Sequence, residues 1–98
     1  MMFTVIETPI FQKQASQVWS QDERHAFIDW IAQNSNVGDV IPGAEGARKV
    51  RWALQGKGKR GGVRVICFNL NEDEVVLLVA VYAKSDQANL SVKQIKRK

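Results

Sequence analysis

Along the first third of the chain, apolar residues recur at helical spacing. Ile10, Phe11, Gln14, Ala15, Val18 and Trp19 fall at i, i+1, i+4, i+5, i+8 and i+9, which places nearly all the apolar bulk on one stripe of a helix. Thr8-Pro9 supplies its start, a hydroxyl for the N-cap and a proline for the first turn. Ser20-Gln21-Asp22-Glu23 reads as a capping box, and the helix it opens carries Ala26, Phe27, Trp30 and Ile31 on one face and ends near Asn34-Ser35-Asn36. Two amphipathic helices so close in sequence predict a helical hairpin, preceded by a short extended segment at 3–6.

Residues 34–46 hold Gly38, Pro42, Gly43 and Gly46 and predict a connecting loop. Three strands are then expected, at 48–54, 63–70 and 75–82, with a turn at Asn71-Glu72-Asp73-Glu74. The last two are apolar on both faces, as covered central strands are, whereas the first alternates cations with Val50, Trp52 and Leu54. A short final helix holding Ala88, Val92 and Ile95 is expected after a cap at Ser85 or Asp86. The expected fold is α+β, two N-terminal helices packed on an antiparallel sheet, in the order β-α-α-β-β-β-α.

Composition narrows the class. With 98 residues and 45% hydrophobic content, the chain is expected to form a single globular domain over 1–98. Glu7 interrupts the first apolar residues, so neither a signal peptide nor a membrane span is expected, and the protein is expected to be cytoplasmic. Cys67 is the sole cysteine, which excludes an intrachain disulfide and a thiolate metal cluster. The net charge of +4 is unevenly spread: Arg48, Lys49, Arg51, Lys57, Lys59, Arg60 and Arg64 follow one another without an acid between them, while acids flank this run on both sides. A polyanion is the expected ligand of that middle segment.

Gly56-Lys57-Gly58-Lys59-Arg60-Gly61 has the spacing G-x-G-x-x-G, but a strand rather than a helix follows it, and it lacks the ending of a phosphate loop. A basic hairpin loop whose Lys57, Lys59 and Arg60 reach nucleic-acid phosphates is the better reading, beside a solvated hairpin tip. Lys49 and Arg51, two apart on a strand, project from one face, and Arg64 opens the next strand. Such a cluster can bind RNA and also stabilise charge on phosphate oxygens during attack by a 2′-hydroxyl. With His25 as the only histidine, acid–base cleavage by paired imidazoles is excluded. Lys49, Lys84 and Tyr82 are the remaining proton-transfer candidates, Tyr82 being equally readable as a core ring with its hydroxyl at the rim. Trp19, Trp30 and Trp52 read as core rather than as stacking platforms.

Three stretches, Gly38-Asp39-Val40-Ile41-Pro42-Gly43, Gly46-Ala47-Arg48-Lys49-Val50-Arg51 and the run from Gly56 through Gly61-Gly62-Val63-Arg64-Val65-Ile66, together with Tyr82-Ala83-Lys84, resemble RelE-type toxins, specifically the HigB-like branch of type II toxin-antitoxin pairs. The resemblance covers most of the chain. It implies a RelE-like fold and a metal-independent endoribonuclease, without cofactor, that enters the ribosomal A site, cuts messenger RNA and inhibits translation. By position it implies catalytic places for Lys49, Arg51, Arg64, Lys84 and Tyr82, with Arg64 stabilising the scissile phosphate, and RNA contacts for Arg48, Lys57, Lys59 and Arg60. It also implies a HigA-like helix-turn-helix antitoxin as partner, with operator DNA reached only through that complex. The competing readings are a non-catalytic nucleic-acid-binding module and an antitoxin-binding module acting in operon repression.

Overall fold

The computed structural model describes residues 2–53 and 62–84. Strand β1 (Thr4–Glu7) leads into helix α1 (Pro9–Val18) and helix α2 (Gln21–Gln33). A two-residue strand, β2 (Asp39–Val40), precedes β3 (Arg48–Trp52), β4 (Val63–Leu70) and β5 (Val75–Ala83), with a 3₁₀ turn at Asn71–Asp73 between the last two. The five strands form one sheet in the order β1-β5-β4-β3-β2.

Both helix starts are built as their sequences predict. Thr8 Oγ1 accepts from the Phe11 N–H at 3.3 Å and Ser20 Oγ from the Glu23 N–H at 3.1 Å, each satisfying an otherwise orphaned first-turn donor. The expected antiparallel sheet is instead mixed: β1 pairs in parallel with β5, from Thr4↔Val75 to Glu7↔Leu78, while β2–β3, β3–β4 and β4–β5 are antiparallel. The physical reason is the helix pair, which returns the chain across the sheet so that the meander finishes alongside the first strand rather than opposed to it. The expected final helix lies outside the described residues.

One side of the sheet packs on the helices. Phe11 and Ala15 of α1, Phe27 and Ile31 of α2, and Val50, Val63, Val65, Cys67, Val76, Leu78 and Val81 of the strands form a single buried cluster. The tryptophans pack against it: Trp52 lies 5.3 Å from Phe27 and 5.2 Å from Trp30, and Trp19 lies 5.5 Å from Phe27, centroid to centroid. The expectation of core tryptophans holds for all three.

A bulge keeps β5 in phase with that core. Ile66 pairs with Ala80, but Cys67 pairs with Leu78, leaving Val79 as an additional residue. Hence Val81 and Leu78, three apart, both face the helices. Here β1 has ended, and α1 supplies the missing partners: Thr8 Oγ1 donates to the Leu78 carbonyl at 2.9 Å, and Gln14 Oε1 accepts from the Val81 N–H at 2.9 Å. Gln14, the polar member of the α1 stripe, thus bonds to the sheet edge.

Candidate nucleic-acid interface

The opposite sheet face is assembled by strand parity. On β3, Val50 and Trp52 turn toward the helices, so Lys49 and Arg51 project to the other side. Register then aligns Arg51 with Arg64 of β4, and Arg64 with Tyr82 of β5. Directly opposed residues share a face, and neighbouring strands lie about 4.8 Å apart, so the two guanidinium-bearing residues and the phenol form one row across three strands. The next row runs Asp39, Lys49, Ile66, Ala80. Lys84 follows β5 immediately, exposed, its backbone N–H donating to the Gly62 carbonyl at 3.1 Å.

Beneath the cations lies a second apolar cluster of Ala44, Ala47, Ile66, Phe68, Val79, Ala80 and Tyr82, flanked by Ile41 and Leu77. The segment after β2 folds over it, closed by Ile41 N–H to Ala47 O at 2.8 Å, Ala44 N–H to Ile41 O at 3.2 Å and Ala47 N–H to Ala44 O at 3.2 Å. The face is therefore a firm apolar floor with charged residues around it, which limits how far a bound chain can shift the strands.

Tyr82 is 6% exposed, and its hydroxyl is buried with no hydrogen-bond partner among the described residues. Burial pushes its phenol above the ordinary value, and the neighbouring Arg64 guanidinium opposes that rise. At neutral pH the group is a proton donor held beside a cation. Arg64 is half-buried and its Nη1 reaches the carbonyl of Val63 at 3.3 Å, while Arg51 is exposed.

Arg48 departs from the cluster. It shares parity with Val50, and its Nη1 donates at 3.3 Å to the carbonyls of both Asn36 and Gly38, pinning the segment after α2. Its charge acts across the sheet on Cys67, although burial dominates and pushes that thiol up to about 11. Lys57, Lys59 and Arg60 lie outside the described residues. His25 is exposed on α2, in the layer on the other side of the sheet. Among the described residues no group of His, Cys, Asp or Glu is placed to hold a metal ion, and no helix is long and apolar enough to cross a membrane.

Asp39 was not among the site residues expected from the sequence. It lies on the edge strand β2 directly opposite Lys49, so its carboxylate borders the cationic rows. Its signal was the glycine before it: Gly38 has φ +91°, and a Cβ there would meet the Lys49 carbonyl oxygen at 2.8 Å. Only glycine allows this close approach of β2 to β3.

Two helices on one side of a five-stranded sheet, with Lys49, Arg51 and Arg64 on the other, define an α+β domain with a cationic face. The chain matches the family described as the RelE toxin of the RelE/RelB toxin-antitoxin system over residues 8–98, and it belongs to that family, as a toxin of a toxin-antitoxin system. Among solved structures it is similar to an arginine-to-alanine double mutant of the E. coli toxin RelE in the free state, with a TM-score of 0.61, 14% identity, and coverage of 86% of this chain and 85% of that one. The likeness extends to the α+β architecture of helices on a mixed sheet.

Proposed function

We propose that this toxin, a member of the HigB-like branch, is a metal-independent, ribosome-dependent endoribonuclease that cuts messenger RNA in the A site. The observation that carries the reading is the row Arg51, Arg64, Tyr82 across three adjacent strands. It joins two charge-stabilising groups to one neutral donor whose hydroxyl has no partner among the described residues.

The chemistry needs no cofactor. The 2′-oxygen attacks the adjacent phosphorus, forming the new O–P bond as the bond to the 5′-oxygen breaks, and leaves a 2′,3′-cyclic phosphate and a 5′-hydroxyl. Arg64, flanked by Arg51, stabilises the charge that builds on the non-bridging oxygens. Tyr82, kept protonated by burial, donates to the departing 5′-oxygen once bound RNA opens access to its buried hydroxyl, and Lys49 or Lys84 takes the 2′ proton. Lys57, Lys59 and Arg60 contact the RNA backbone or ribosomal RNA. Arg48, bonded to the loop after α2, is a positioning residue here. A HigA-like antitoxin with an acidic surface opposes the same charges, and operator DNA is met only through that complex.

The test is induction of the chain in a bacterial host, as wild type and as Arg64→Ala, with messenger RNA 5′ ends mapped by primer extension. Growth arrest with new ends inside translated codons, lost in the variant, is the expected result. Normal growth without new ends would overturn the nuclease reading.

A further inference from the structure

Asp39 is an exposed carboxylate at the border of a cationic face, and its side chain has no hydrogen-bond or ion-pair partner among the described residues. The surrounding backbone holds it firmly. Register fixes it opposite Lys49, Gly38 lets β2 close onto β3, Arg48 ties down the Gly38 carbonyl at 3.3 Å, and the Ile41 N–H bond to Ala47 O at 2.8 Å holds the chain just beyond it. An acid on a phosphate-binding face weakens backbone contact, so its contribution comes from another part of the ligand.

We infer that Asp39, held one row along from Arg51 and Arg64 and opposite Lys49, is a base-reading residue that accepts two hydrogen bonds from a guanine in single-stranded RNA. Protein readers of unpaired RNA bind bases by their Watson–Crick edges, and an ionised carboxylate offers only acceptors. Guanine alone among the four bases places a ring N–H and an amino group side by side on that edge, matching both carboxylate oxygens at once. A phosphate held by Arg51 and Arg64 leaves its attached base free to turn toward the β2 edge. The inference rests on the reading of this face as an RNA surface.

The experiment is equilibrium binding of short labelled oligouridylates, either uniform or carrying one central guanosine, adenosine or cytidine, to wild type, Asp39→Asn and Asp39→Ala. Wild type is expected to prefer the guanosine oligomer by roughly fivefold or more, the lower part of the range for a bidentate base contact. Both variants should lose that preference while binding uniform oligouridylate as well as wild type or better, because a repulsive charge is gone. Their thermal melts should match wild type, since the side chain is exposed. Equal base preferences in wild type and variants, or no preference in wild type, would overturn the inference. Binding is read without cutting, so guanine selectivity in a protein that cuts nothing on ribosomes sinks the nuclease reading alone, whereas failure to bind any oligomer overturns the inference and leaves ribosome-dependent cutting standing.

Discussion

The two faces of the β3–β4–β5 sheet are made by the same strands and perform opposite tasks. Toward the helices, Val50, Val63, Val65, Cys67, Val76, Leu78 and Val81 are closed off by Phe11, Phe27 and Ile31. Away from them, Lys49, Arg51, Arg64 and Tyr82 stand over a thinner apolar floor. One-residue alternation in β3 and β4, and a single bulge in β5, keep the two sets apart. Stability should therefore be concentrated on one face and activity on the other.

The largest effect should come from hollowing the helix-packed face. Phe27→Ala removes a fully buried ring that contacts Trp19, Trp30 and Trp52, and should cost about 3–5 kcal/mol in denaturant unfolding. Arg51→Ala, an exposed change on the other face, should leave unfolding within about 0.5 kcal/mol. If both substitutions destabilised equally, the division between faces would fail.

A pH series should reveal the same division. The Cys67 thiol is raised from an ordinary 9.0 to about 11 by burial, so between those values the unfolded chain has released the proton and the folded one has kept it. Stability is then full below pH 9 and falls as pH rises toward 11, by about 2–3 kcal/mol. Cys67→Ala should lower overall stability yet flatten that slope. Tyr82, also raised, adds a decline of the same sign at higher pH, and Tyr82→Phe should remove it.

Smaller effects belong to the joints between layers. Gly38→Ala meets both the positive φ and the Lys49 carbonyl and should cost about 1–3 kcal/mol. Thr8→Ala removes the α1 cap and the bond to the Leu78 carbonyl, for about 1–2 kcal/mol. Both are read by thermal unfolding.

Helix starts and central strands were legible in the sequence because local chemistry fixes them: Thr8-Pro9, the Ser20 cap and the largely apolar runs of β4 and β5 act through near neighbours. Parallel pairing of β1 was not, since nothing in residues 4–7 encodes which strand they will join. Neither was the bulge, which depends on Thr8 and Gln14 meeting β5 from far along the chain. In the site, the alternation of Lys49 and Arg51 was readable from spacing, and the alignment of Arg51, Arg64 and Tyr82 needed the register. Arg48 shows that a charge run misleads when parity is ignored: it shares a face with Val50 and bonds to a loop. Asp39 was hidden in a glycine-rich segment too short to read as a strand.

The most direct test of the account is single-turnover cleavage of messenger RNA on purified programmed ribosomes, comparing saturating wild type with Arg64→Ala. A fall in cutting rate of about 10²–10³-fold with ribosome binding and unfolding unchanged is the result predicted for a group that stabilises the transition state. Cutting by Arg64→Ala at the wild-type rate, or no cutting by wild type, would contradict it.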